Sequence, residues 1–543
     1  MPPSSSSSSS SNCCFLQPQL PDECWESIFK HLSDPHDHES LSLVSRRFLS
    51  LSNRIPTHLT ISYHLLPLLP ALLRRFTNLT SIRLTRYFTG DINALLSQIA
   101  SFDLPSLHSL DISHQYTFPS HGLRQFSLKF PTLKSLNCSH TKLGLVLIAE
   151  CFPNLEEINV TYPITRVFPD RDLHEKALAS GLKKLRKVDL SGTYILQDSS
   201  LFTLCQNCVS LEALLISDIG ASAIANAIRQ GPQLRSLAVR GGIVTLELID
   251  TLVTLKCLTC LDLCYARISD ETLCVLADRG LPLRELSLRY CSGYQFSGIS
   301  CLLRNCNNLQ YLGLERTRFL NDQRVIELSL LLGNLNAVNL SENAKLTDLS
   351  LFAIMRNCPL ITKIRMENTG VGKQKLEHDC LVLNSHLKFL YLARNKRLDD
   401  GSVTTLASFC PNLEMMDLSD CGRVSKGAIE VLRRCCKIQC MDLARLGYEL
   451  DQFRVNFEVP TLFVLNLPML SISDEELSLI SKSCYNLKEL KLNYCDKITA
   501  SGVKQVVKNC KQLRMISLLG CENVSSDIVT WMVFARPSLR MLS

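Results

Sequence analysis

From Leu79 onward, apolar residues recur in a fixed frame: apolar, two residues, apolar, one residue, apolar, two residues, then a small polar or cysteine position. The first apolar position falls at Leu79, Leu107, Leu133, Leu155, Leu185, Leu211, Leu234, Leu258, Leu283, Leu309, Leu335, Ile361, Leu387, Leu413, Ile438, Leu462, Leu487, Leu513 and Leu539. Most spacings are 24 to 26 residues; the extremes are 22 after Leu133 and 30 after Leu155. Alternation with a period of two predicts a short strand within each frame. In Leu413-Glu-Met-Met416-Asp-Leu418-Ser-Asp-Cys421, the strand points Leu413, Met416 and Leu418 inward. Helical spacing follows, with Ile429 and Leu432 inward and Ser425 in the N-cap place. Ser269, Thr347, Ser473 and Thr499 stand at the same cap site of other units.

A single unit cannot cover its own apolar faces, so units stack and stability becomes a nearest-neighbour sum. A period between 20 and 29 residues with this frame is the leucine-rich repeat. The predicted fold class is therefore α/β, with a parallel concave sheet and helices on the convex face of a solenoid. The turn position carries Cys421 in one unit and Asn343, Asn395, Thr317 or Thr369 in others. Asn or Thr there satisfies backbone groups that the turn leaves unpaired.

The chain before the repeats reads differently. Residues 1–16 are dominated by Ser4 to Ser11 and predict a disordered tail. At 17–60 a helical module is expected. Pro21 suits a first helical position, Asp22 and Glu23 suit the helix dipole, and Trp25, Ile28, Phe29 and Leu32 follow at helical spacing. Ser33-Asp34-Pro35 ends that helix; a second stripe runs through Leu41, Val44, Phe48 and Leu51, with Arg46 and Arg47 on its polar side. Residues 61–78 connect or cap, and 79–543 hold eighteen complete repeats and the start of a nineteenth. A module of about 40 residues is near the size below which a core cannot stabilise itself alone. It should leave apolar side chains for something else to cover.

Leu20-Pro21-x-Glu23, then Ile28, Leu32 and Leu41-Ser-Leu43-Val44-Ser45-Arg46-Arg47-Phe48, resemble the F-box motif. Phe48 stands where that motif usually has Trp. The resemblance implies docking on a Skp-type adaptor and, through it, a cullin. Leu20, Pro21, Ile28, Leu32, Leu43 and Val44 are then the adaptor-binding candidates, laid as apolar anchors in a helical groove. The rival reading makes them the internal core of a helical cap on the repeats. Cys208, Cys306, Cys358, Cys410, Cys435, Cys484 and Cys510 precede first positions by three residues, and Cys291, Cys421, Cys495 and Cys521 sit at turns. The pattern resembles the cysteine-containing leucine-rich repeats common in plant-type F-box proteins. Together the resemblances imply the non-catalytic substrate-recognition subunit of a Skp–cullin–F-box ubiquitin ligase, which holds an unknown protein for ubiquitination.

Composition narrows the remaining chemistry. A net charge of +7 over 109 charged side chains is too small and too dispersed to argue for nucleic acid. Leu59 to Leu73, the most apolar stretch, is short and carries His64, Pro67 and Pro70, so no membrane span is expected. The N-terminus lacks the basic start and apolar core of a secretory signal, which places the expected compartment in the cytoplasm or nucleus. Disulfides are then unlooked for among the 25 cysteines. Cys205-x-x-Cys208 and Cys257-x-x-Cys260 have metal-like spacing, but the repeat accounts for Cys208, and no metal or other cofactor is expected. His114 and His140 occupy equivalent places in adjacent repeats and should be neighbours. Gly370-Val-Gly372-Lys373 lacks the spacing of a phosphate loop.

Strand alternation turns Arg289, Tyr290, Glu315, Arg316, Arg365, Glu367, Tyr391 and Arg394 outward on the concave side. Arg and Tyr carry binding hot spots. Tyr290, Arg316, Arg365, Tyr391 and Arg394 are therefore the substrate-binding candidates. The long spacing after Leu155, around Pro163 to Arg171, is read as a tolerated surface loop. Two rival functions remain open: a repeat scaffold that binds a partner without ubiquitin transfer, and an F-box receptor whose substrate binding needs a small molecule.

Overall fold

The computed structural model describes residues 20–32, 35–164, 171–193, 197–230, 233–373, 383–446, 455–525, 527–536 and 539–542. The serine-rich stretch and residues 165–170 of the long spacing lie outside them. The chain divides into two compact units, residues 1–195 and 196–543.

The first unit opens with three helices, α1 (Asp22–His31), α2 (Pro35–Val44) and α3 (Arg46–Arg54). Acids in the first turn of α1 and Lys30 and His31 in its last turn oppose the helix dipole. Phe29 is fully buried beneath an aromatic cluster. The Trp25 and Phe48 ring centroids lie 4.8 Å apart, and Phe48 meets Phe29 edge-on at 5.2 Å. Phe48 thus does aromatic packing of its own where the F-box motif has Trp. The Ser45 hydroxyl caps α3 by accepting the Phe48 N–H at 3.1 Å. Arg47 fastens α3 to the start of α1, donating to the Asp22 carboxylate at 2.8 Å and to the Leu20 carbonyl at 2.7 Å.

Strand β1 (His58–Ile61) follows and pairs in parallel with β2 (Ser81–Leu84). β1 is one strand ahead of the first leucine of the frame. Proline occupies the first position there, in Pro56-x-x-Leu59-x-Ile61, so the leucine spacing does not mark it. Parallel strands Ser109–Asp111, Ser135–Asn137, Glu157–Asn159 and Lys187–Asp189 continue the first unit. Among the described residues, the second unit contains fourteen strands, from Ala213–Ser217 to Arg540–Leu542, paired in parallel. Middle apolar positions face one another in register: Leu312, Val338, Ile364, Leu390, Met416 and Met441 are consecutive partners. All six are buried. Many of the consecutive helices pack on each other. The expected frame is therefore the observed one.

Two devices lock neighbouring units together. The first is a carboxylate at the start of one helix that caps the next. Asp400 accepts the Ser425 N–H at 2.6 Å, the Ser425 hydroxyl at 2.8 Å and the Gly427 N–H at 2.7 Å. Asp322 receives Thr347 and Ser350 in the same way, and Asp474 receives Thr499. Ser425 therefore departs from its expected cap role: its hydroxyl serves Asp400 and makes no cap bond to its own helix. Ser269, Thr347, Ser473 and Thr499 do cap their own helices, Ser473 in a full capping box with Glu476. The second device is the turn position. Asn395 donates to the Met366 and Leu392 carbonyls at 2.8 Å each, and Cys421 to Leu392 at 3.2 Å. Burial raises the Cys421 thiol to about 12, so it stays protonated and able to donate.

Candidate functional site

The helical head leaves apolar side chains uncovered. Leu43 is 82% and Val44 66% exposed at the end of α2, Leu20 is 46% exposed just before α1, and Ile28 is 43% exposed within it. Pro21 is exposed and Leu32 half-buried. Phe29, Leu51 and the ring of Phe48 form the internal packing instead. The expected adaptor candidates and the internal core are thus largely different residues, as a docking face requires. Leu32 is the exception, shared between the two.

On the repeats, one backbone feature organises the outward side chains. Among the described residues, fifteen non-glycine residues have positive φ, and all lie just past a strand. They include Tyr87, His114, His140 and Tyr162 in the first unit, and Tyr265, Tyr290, Arg316, Glu342, Asn368, Arg394 and Tyr494 in the second. A bulky residue in this region costs on the order of 1–3 kcal/mol unless its surroundings hold it. Here the N–H of each kinked residue reaches the next unit. Tyr290 donates to the Glu315 carbonyl at 2.9 Å, Arg316 to Ser341 at 3.1 Å and Arg394 to Ser419 at 2.7 Å. The kink also aligns the side chains of successive units into a ladder. His114 and His140 stack at 4.3 Å with an 11° tilt, and Tyr162 continues the stack at 5.4 Å from His140. Burial, His140 and Arg86 lower the affinity of His114 for a proton. Where Gly192 replaces a side chain in this ladder, a Cβ would run into the Tyr162 ring.

The five substrate candidates fall into two clusters within the second unit. In one, Tyr290 stacks on Tyr265 at 4.7 Å and 12°, and the Arg316 guanidinium lies 5.7 Å from the Tyr290 ring centre. In the other, the Arg365 guanidinium lies 4.0 Å from the Tyr391 ring centre. Arg365 pairs with Glu367 at 3.2 Å, and Arg394 pairs with Glu342 at 3.4 Å and Glu367 at 3.5 Å. Glu315 departs from its expected outward place. It is 8% exposed, accepts the Asn339 amide at 2.6 Å, and burial raises its pKa. Tyr265, which holds the place of Tyr290 one repeat earlier, and Tyr294, Arg318 and Phe319, which lie past the outward positions, were not among the candidates, yet they join Tyr290 and Arg316 around a cavity of about 660 Å³.

Motifs set aside on the sequence have structural occupations. The Gly372 N–H donates to the Asp348 carboxylate at 3.0 Å, leaving that amide engaged by an acid. Cys205 and Cys208 are fully buried, and burial raises Cys205 to about 12. No helix among the described residues is long and apolar enough to cross a membrane.

Residues 18–59 match the F-box domain. The chain is 26% identical over 171 residues to F-box/LRR-repeat protein 4 of Bos taurus, covering 30% of this chain and 28% of that protein. It is 23% identical over 433 residues to F-box protein MAX2 of Arabidopsis thaliana, covering 73% of this chain and 59% of that one. The chain thus spans under two thirds of the length of either relative. The solved mouse RP105/MD-1 complex aligns at a TM-score of 0.46 with 16% identity, covering 89% of each chain. The chain thus carries an F-box match over residues 18–59, with apolar side chains uncovered, followed by strand–turn–helix units in leucine register.

Proposed function

We propose that this protein is the substrate-recognition subunit of a Skp–cullin–F-box ubiquitin ligase. The single observation that carries the reading is the F-box match over residues 18–59, whose apolar side chains at Leu20, Ile28, Leu43 and Val44 face outward. A Skp-type adaptor covers those side chains and links the chain to a cullin. The repeats hold the protein to be modified. The subunit contributes no nucleophile; its contribution is proximity, bringing an acceptor lysine near a charged ubiquitin carrier. It acts in the cytoplasm or nucleus.

The test is a pulldown of purified adaptor by the full chain. Leu20→Ala with Pro21→Ala is expected to lower adaptor affinity at least tenfold while the melting temperature stays within a few degrees. Full retention of adaptor by the double variant would sink the proposal.

A further inference from the structure

The arginines of the sheet face differ in one respect that residue type alone conceals. Arg289 pairs with Asp262 at 3.4 Å, Arg365 with Glu367, Arg394 with Glu342 and Glu367, and Arg445 with Asp420 at 2.8 Å. Arg316 and Arg318 have no carboxylate within ion-pair reach among the described residues, and both are exposed. Both line the cavity of about 660 Å³ at the ends of the strands. Four aromatic side chains share its walls with small and polar residues: Tyr265 and Tyr290, stacked face to face, and Tyr294 against Phe319 at 5.3 Å. No Asp or Glu lines it. Neighbouring acids are engaged elsewhere, Asp270 by the Gln295 N–H at 2.6 Å and the Ser297 hydroxyl. Glu315 is buried on Asn339, and Glu342 is engaged by Arg394 and by the Asn368 amide at 2.8 Å. Arg240 closes the far end of the ring stack, 4.8 Å from the Tyr265 centre.

Two free guanidiniums over an aromatic floor favour an occupant with a flat apolar group beside negative charge. A lone carboxylate would leave the rings unused, and a lone aromatic would leave the guanidiniums unpaired. The volume lies within the range of pockets that bury a side chain or a small ligand, about 300–1,000 Å³. We propose that this cavity receives an acidic segment of the captured protein, an aromatic side chain flanked by carboxylates, with the ring against Phe319 and the edge of the Tyr290 stack and the carboxylates on Arg316 and Arg318. This inference rests on the reading of the repeats as the substrate-holding part. It places recognition at Arg316 and Tyr290 and takes Arg365 and Arg394 as internally compensated.

The probes are fluorescent nonapeptide pools with randomised flanks around a fixed Glu-Phe-Glu or Gln-Phe-Gln centre, titrated against the full chain by polarisation. The acidic pool is expected to bind at least tenfold tighter than the amide pool. Arg316→Gln with Arg318→Gln should remove at least a factor of ten, whereas Arg445→Gln, an equal loss of charge per residue at a paired site, should leave affinity within twofold. Raising salt from 50 to 500 mM should weaken the acidic pool alone. Equal binding of the two pools, or unchanged binding by the double variant with its melting temperature preserved, overturns the assignment. A phosphotyrosine-centred pool that binds ten times tighter than Glu-Phe-Glu overturns carboxylate as the recognised charge. Adaptor capture is measured on the same preparations and does not enter the peptide titration, so the ligase reading and this inference fail separately.

Discussion

Leu43 in the helical head and Leu390 in the repeats are the same residue type in opposite circumstances. Leu43 is almost wholly in solvent, while Leu390 lies in the middle of a strand with Ile364 and Met416 as its register partners and no exposure. The repeats solve burial by stacking: each unit finds its cover in the next, so nearly every leucine of the frame is spent inside. The head has three short helices and one aromatic cluster, too little to cover all of its apolar side chains. The lesson is that exposure of a leucine in the head carries information about a partner, and burial of a leucine in the repeats carries information only about the fold.

The contrast is sharpest in a pair of truncations. Leu390→Ala is expected to destabilise the second unit by about 2–5 kcal/mol, the range for a fully buried leucine in a packed core. Leu43→Ala should change stability by less than about 0.5 kcal/mol, as for a surface substitution, yet weaken adaptor binding. Chemical denaturation with adaptor titration reads both, and equal stability losses would erase the distinction between head and repeats.

A smaller effect probes how one unit grips the next. A Cβ at Gly427 would stand 2.8 Å from Asp400 Cα and 2.9 Å from its carboxylate, with backbone on one side that cannot give way. Gly427→Ala should cost about 1–3 kcal/mol, as overpacking does. If it proves neutral by denaturant melts, the carboxylate cap is looser than the geometry states.

The smallest effect separates the imidazole ladder of the first unit from the cationic stack of the second. His114 has a pKa lowered by burial and by the adjacent His140 and Arg86, with Asp111 opposing. A lowered folded-state value means that the unfolded chain binds the proton more readily. The stability tied to the neutral ring is present above the unfolded value near 6.5 and is lost as pH falls through the lower folded value. His114→Gln should therefore reduce the drop in melting temperature between pH 7.5 and 5.5. An unchanged drop would show that the ladder does not sense pH through this ring.

Much of the architecture was legible because its cause is periodic. Repeat spacing, strand alternation, turn chemistry and the caps at Ser269, Thr347, Ser473 and Thr499 are local patterns, and each unit repeats the statement. β1 escaped because Pro56 replaces the leucine that marks a frame. Ser425 misled because a serine before a helix looks the same whether it bonds its own helix or a carboxylate 25 residues earlier. The outward set was read by alternation, which holds within a strand and fails once the chain kinks to positive φ. That is why Phe319 and Arg318, past the kink at Arg316, were overlooked, whereas Glu315, just before it, was misplaced because its side chain turns in to the Asn339 amide.

By itself the sequence determined the repeat, its strand–turn–helix order, the internal leucines and the F-box motif, because these follow from spacing along one chain. Tertiary structure alone decided which arginines are already neutralised and which are free. Arg316 and Arg394 are the same letter at the same kinked place in their repeats, yet Arg394 is paired with Glu342 and Glu367. Whether a guanidinium meets a carboxylate depends on side chains one and two units away and on the hand of the backbone that aims them, and neither distance nor direction is written in local order.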